Sequence, residues 1–248
     1  MDRIAVISDL HGNLTALHAA LDDIRRREIT RIFCLGDLIG KGPRSAEVVD
    51  LSRAVCELTV RGNWDEFILD TSTDDPVKRW HQQQLGPERL GYLAGLPNTI
   101  EFLLSGRQVR LFHASQVSVF HRIHMDDTPE RHLAMFDNTA FTGDGPPPSV
   151  VGYGDIHDAY VKNFAGHCLF NAGSVGNPLD MPLAAYAILE GRYGDAAPGP
   201  FSIQIARLPY DIEAEIRAAE ELAMPDLPPY ADELRTARYR GAPKEKDK

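Results

Sequence analysis

Residues 4–62 alternate three short apolar runs, IAVIS (4–8), RIFCLG (31–36) and CELTVRG (56–62), with two stretches of helical period. In the first stretch, LTALHAALDDI, apolar residues stand at 14, 17, 21 and 24; the second is SAEVVDLSRAV at 45–55. With connections this short the chain has to run β-α-β-α-β, the opening of a mainly parallel sheet covered by helices. The consequence for function is geometric, because ligands of open α/β sheets sit outside the carboxyl ends of the strands. Polar residues gather at those ends: Asp9 and His11 after the first run, Asp37 after the second, Asn63 after the third. Two later runs repeat the pattern, VRLF leading to His113 and VVGYG to Asp155 and His157. These groups, distant in sequence, are expected to converge.

The stretch SDLHGN at 8–13 is a strand-to-helix corner in which Gly12 allows a sharp turn and Asn13 caps the new helix. Asp9 and His11 have no such local explanation. Imidazoles, carboxylates and a carboxamide without thiolate suit divalent manganese, iron, nickel or zinc. Seven groups exceed one tetrahedral site. Two metals sharing a bridging carboxylate fit better, and such pairs, roughly 3.5–4 Å apart, activate water and hold both oxygens of an in-line displacement at phosphorus.

At 248 residues and 43% hydrophobic the chain is long enough for one large core. A formal charge of −10 gives no general attraction for polyphosphate backbones, so no stable nucleic-acid binding is expected. The amino terminus has no basic segment leading into an apolar one, and no window nears the roughly 18 apolar residues of a membrane span. A soluble cytoplasmic chain without membrane association is expected, as a monomer or a homo-oligomer. Cys34, Cys56 and Cys168 are odd in number and far apart, which suits reduced thiols.

Residues 1–210 are expected to form the main domain. Within it, 74–97 reads as interrupted short helices forming a cap, and 115–149 as an irregular surface loop or a lid. CLFNAG, AAYAILE and FSIQIARL are further strands, antiparallel or mixed because no helix-length crossover separates them. Residues 211–248 are expected to hold a final amphipathic helix and then a mobile charged tail. His18 is expected on the inward face of its helix, Trp80 in the core of the cap, and Arg25, Arg26 and Arg27 on a solvated helix end.

Taken in order, DLHGN (9–13), GDLIGKGP (36–43), GNWD (62–65), FHAS (112–115), GDIH (154–157) and NAGSVGNP (171–178) resemble the calcineurin-like metallophosphoesterase superfamily, and most of all its small bacterial phosphodiesterase branch. The resemblance covers about residues 3–190. It implies an α/β fold, a four-layer α-β-β-α sandwich with mixed sheets. It implies that Asp9, His11, Asp37 and His157 hold one metal, with Asp37 bridging, and that Asn63, His113 and Asp155 complete the second. Asp37, Asn63, His113 and Asn13 would be the catalytic residues, Asn13 lying near the phosphate. The implied activity is a dinuclear metal-dependent phosphoesterase, manganese favoured, cleaving a small-molecule or nucleotide phosphodiester through a metal-bridging hydroxide. A phosphomonoesterase, or a non-catalytic scaffold that binds partner proteins, is the alternative.

Two positions depart from the family pattern. Trp64 stands where the family's Gly-Asn-His motif has its histidine, so the group that protonates the leaving oxygen is left open among Asp65, His121 and His124. Trp64 itself either packs against the cap or offers a face for stacking. Asp155 replaces the first histidine of the GHTH-like motif and adds a negative charge, which tilts the site toward harder ions and toward monoanionic diesters.

Overall fold

A computed structural model of the chain describes residues 1–241. Its first three strands, β1 (Asp2–Ile7), β2 (Arg31–Cys34) and β3 (Leu58–Thr59), are parallel, as the helical spacing between them requires. The intervening helices are α1 (Leu14–Arg26) and α2 (Ser45–Val55). Two late strands, β9 (Ala184–Gly191) and β10 (Ser202–Leu208), add antiparallel to the free edge of β1, giving the order β10-β9-β1-β2-β3. A second five-stranded sheet is assembled from β4 (Thr99–Leu104), β5 (Arg107–Phe112), β6 (Val150–Tyr153), β7 (Tyr160–Phe164) and β8 (His167–Asn171), in the order β4-β5-β6-β8-β7. Its β5, β6 and β8 are parallel, while β4 and β7 close its edges antiparallel.

Both faces of β1 are buried, which explains its unbroken apolar run. Ile4 and Val6 pack with Phe33, Leu111 and Phe170 between the two sheets. Ala5 and Ile7 point the other way and pack with Leu17, Ile24 and Val48 under α1 and α2. The outer face of the second sheet is covered by the 115–149 segment, which contains α5 (Pro129–Ala134) and seats Ile123, Met135 and Phe136 on Val151 and Leu169. The layers are therefore helix, sheet, sheet and helix, as expected.

The remaining helices surround the open end. α3 (Asn63–Phe67) follows β3, and α4 (Pro76–Ala94), kinked at Gly86, packs on α2 and α3. α6 (Ile212–Glu221) lies against α1. Beyond it, where the sequence reads as a charged tail, the chain forms a further helix, α7 (Leu227–Thr236), because Tyr230, Ala231 and Leu234 share one face and bury it against Ile216 and Ala219. Residues 242–248 of the expected tail lie outside the described residues. Trp80 packs against this C-terminal cluster.

His18 is exposed rather than inward, because it shares a helix face with Asp22 and Arg25, while Leu17, Leu21 and Ile24 take the core side. Arg25, Arg26 and Arg27 pair with Asp22 and Asp23 at the solvated helix end. The three cysteines are free, Cys34 and Cys168 buried. Among the described residues no helix is long and apolar enough to cross a membrane.

Candidate metal centre

The corners after β1, β2 and β6 share an unusual backbone. Asp9 (φ 53°), His11 (46°), Asp37 (52°), Asp155 (64°) and His157 (63°) all adopt the left-handed conformation. Asp and His tolerate that region better than most side chains, yet each such residue costs about 1 kcal/mol or more. The bends turn both members of each D-x-H pair toward one point. At two places the turns need glycine for space: a Cβ on Gly62 would lie 2.1 Å from Asp37 Oδ1, and one on Gly154 would lie 2.5 Å from Asp9 Oδ2.

Three imidazoles enter this point with the same orientation. The Nδ1 atoms of His11 and His113 meet the carbonyls of Ile39 (3.1 Å) and Leu35 (2.8 Å), and that of His157 meets the carbonyl of Asn177. When each Nδ1–H donates to its carbonyl, each Nε2 is left as a bare lone pair facing inward, which is how metal-binding histidines are usually oriented. His11 Nε2 then lies 3.1 Å from His157 Nε2 and 3.5 Å from Asp37 Oδ2, and His157 Nε2 lies 3.3 Å from Asp9 Oδ1. On the other side His113 Nε2 is 2.8 Å from Asn63 Oδ1, 3.5 Å from Asp37 Oδ1 and 3.9 Å from Asp155 Oδ1. Asp37 thus presents one oxygen to each set.

This arrangement of electron-pair donors fits divalent cations. Asp9 Oδ2 accepts from the Ser8 hydroxyl (2.5 Å) and the Asp155 N–H (3.1 Å), whereas Asp9 Oδ1 is fully buried and accepts no hydrogen bond. A buried carboxylate oxygen without a donor is costly unless a cation meets it. Without an ion, protons take part of that role. Burial alone would lower the His113 pKa, but the carboxylates of Asp37, Asp9 and Asp155 outweigh it and push it up to about 9. Burial also raises the Asp37 carboxyl well above its usual range, against the pull of His113. His11 goes the opposite way, held well below the usual range by burial and by Lys41.

The profile of the calcineurin-like phosphoesterase superfamily domain matches residues 2–193. The chain belongs to that superfamily. It is 32% identical to an uncharacterized protein of Methanocaldococcus jannaschii, in an alignment covering 93% of this chain and 96% of that one. Among solved structures it is similar to a metallophosphoesterase from Sphaerobacter thermophilus, at 26% identity and a TM-score of 0.75, covering 95% of this chain and 99% of the other. It is similar in fold to a hypothetical protein from Pyrococcus horikoshii, at 17% identity and a TM-score of 0.76, covering 97% and 99%.

Within this phosphoesterase the seven donor residues expected from the strand ends, Asp9, His11, Asp37, Asn63, His113, Asp155 and His157, come together as described. Asn13 is engaged by the scaffold at both ends of its amide: its Oδ1 caps α1 through the Ala16 N–H (2.9 Å) and its Nδ2 donates to the Gly176 carbonyl (2.8 Å), so the expected place beside a phosphate is corrected to a structural one. Asp65 is likewise engaged by the scaffold. Its carboxylate accepts from the N–H groups of Asp37 (2.8 Å), Gly62 (2.9 Å) and Leu38 (3.0 Å), with no exposure, and so fixes the corner that carries Asp37. The backbone N–H of Trp64 donates to Asp37 Oδ1 (2.8 Å), while the Trp64 ring packs on Gly40, stands edge-on to His11 at 6.1 Å and lines the cavity. His124 lines the cavity and His121 does not.

Three contributors have no strand-end signal. Arg122, from the 115–149 segment, binds Asp155 with both nitrogens, Nε to Oδ2 at 2.9 Å and Nη2 to Oδ1 at 2.7 Å. Lys41 donates to Asn177 Oδ1 (2.6 Å), and Asn177 donates to Glu233 of α7 (3.3 Å). Arg240 binds the same Glu233 with Nε and Nη2, both at 2.9 Å, and with Tyr239 it walls the cavity from beyond the family-matched region. Lys41 lies inside the GDLIGKGP motif, but nothing local marks its role or those of the others.

Proposed function

We propose that this phosphoesterase is a dinuclear, metal-dependent phosphodiesterase acting on a small-molecule or nucleotide diester. The observation that carries the dinuclear reading is Asp37, whose two oxygens face separate donor sets. Asp9, His11, His157 and Asp37 would hold one ion; Asn63, His113, Asp155 and Asp37 the other. Divalent ions bound there would activate water and neutralise phosphoryl oxygens. Manganese suits the set because oxygen donors outnumber imidazoles and no thiolate takes part.

Diester preference is supported by the shape and charge of the cavity. It measures about 450 Å³ and is lined beyond the donor residues by Trp64, Val77, Pro225 and Tyr239, which leaves room for substituents on a phosphate. Of its cationic side chains, Arg122 and Arg240 each face a carboxylate, Asp155 and Glu233, and Lys41 bonds the neutral Asn177, so the lining offers little surplus positive charge for the second charge of a monoester. The test is elemental analysis after manganese loading together with kcat/KM for bis(p-nitrophenyl) phosphate and p-nitrophenyl phosphate. Close to two ions per chain and a higher kcat/KM for the diester are expected. A chain that takes up no ion refutes the dinuclear reading, and a preference for the monoester refutes the diesterase.

A further inference from the structure

Asp155 is anomalous among the donor residues because its carboxylate is already held by a cation of the protein. The arrangement is built rather than incidental. Ile123, the next residue after Arg122, is buried in the cluster on the outer face of the second sheet, and Tyr153 donates to its carbonyl at 2.9 Å. Arg131 donates to the carbonyl of Arg122 itself at 3.1 Å. The backbone is thus pinned on both sides, and the Arg122 side chain, 48% exposed, reaches into the cavity onto a carboxylate that is 3% exposed. Asp155 is tied in turn to the first donor set through its N–H to Asp9 Oδ2.

We propose that Arg122 is a positioning residue that lets a carboxylate stand at 155: it holds both oxygens of Asp155 beside the second donor set and returns the positive charge that this carboxylate removes. This rests on the dinuclear reading above. Two divalent ions against the carboxylates of Asp9, Asp37 and Asp155 leave a net of one positive charge; with the guanidinium the net is two, the value a neutral imidazole at 155 would give without Arg122. Attraction for a phosphoryl anion therefore depends on Arg122, while cation uptake does not, since removing a positive charge favours cations.

The experiment is calorimetric titration of the purified full chain, first with manganese and then with inorganic phosphate on the manganese-loaded form. Arg122→Gln should keep two ions and bind phosphate about tenfold more weakly, the size of one unit charge acting across a partly solvated cavity. Arg122→Lys, which keeps the charge and loses the fork, should stay closer to wild type. The pair Arg122→Gln with Asp155→His removes both charges and should recover most of the lost phosphate affinity, an outcome that neither a purely structural pair nor direct Arg–phosphate contact produces. Wild-type phosphate affinity in Arg122→Gln with ions bound overturns the inference, and so does a double variant as weak as the single one. Failure of the wild-type chain to take up manganese would instead sink the dinuclear reading on which it rests.

Discussion

Replacing Asp65 by Asn separates a positioning carboxylate from a proton donor. In the native chain one oxygen accepts two backbone N–H groups, from Asp37 and Gly62, and the other accepts one, from Leu38, all without solvent. Asn can keep the first pair through its carbonyl oxygen, but it sets an NH₂ group against the Leu38 N–H. One charge-assisted bond of about 2 kcal/mol is lost, and two others fall to neutral strength at about 1 kcal/mol each, a total of roughly 3–4 kcal/mol. For a domain of this size that lowers Tm by roughly 6–15 °C. The measurement is a thermal melt in chelator, so that metal loss does not enter, followed by manganese titration, in which the loosened Asp37 corner should weaken both ions. A melting point within about 2 °C of wild type, combined with lost turnover, would show that Asp65 acts as an acid and that its three hydrogen bonds contribute little.

Asp37→Ala should abolish uptake of both ions, because its oxygens face both sets, whereas Asn63→Ala should leave the first ion bound; elemental analysis distinguishes them. In the metal-free protein His113 titrates at about 9 against an ordinary value of 6.5, so its contribution to stability is complete below pH 6.5 and is lost as pH rises through 9. Melting points in chelator should fall over that interval, and manganese uptake at pH 7 should release a proton from His113, seen as a buffer-dependent heat, that is no longer released well above pH 9. Trp64 supplies no proton, so aryl diesters should turn over much faster than alkyl diesters, and Trp64→His should raise alkyl cleavage, with a general acid worth roughly 100-fold to 10,000-fold at most. Equal wild-type rates across leaving groups, with chemistry rate-limiting, would contradict this.

The clustering of the candidate donors was legible in the sequence because the fold repeats a local rule. Asp9, Asp37, Asn63, His113 and Asp155 each follow an apolar strand, and parallel strands deliver their carboxyl ends to the same edge whatever the distance between them in sequence. Asn13 shows the limit of that reasoning: its position in the motif is right, but the Gly176 carbonyl, 163 residues away, takes its amide and leaves it structural. The strands at the edges of the second sheet, β4, which alternates buried with partly buried positions, and β7, which alternates partly buried with exposed ones, are too weakly patterned over five or six residues to stand out beside the buried central runs. α7 was obscured by its charges, since only the apolar face pairing with α6 shows that it packs. Arg122, Lys41 and Arg240 obtain their roles from partners 33, 136 and 7 residues away, on elements whose meeting no local pattern records. Periodicity and strand ends are properties of neighbouring residues, so sequence alone determined the parallel opening of the first sheet and which polar residues stand at its strand ends. Which cation meets which carboxylate, and which chain segment walls the cavity, depend on how separate elements close on one another, and only the tertiary structure decided them.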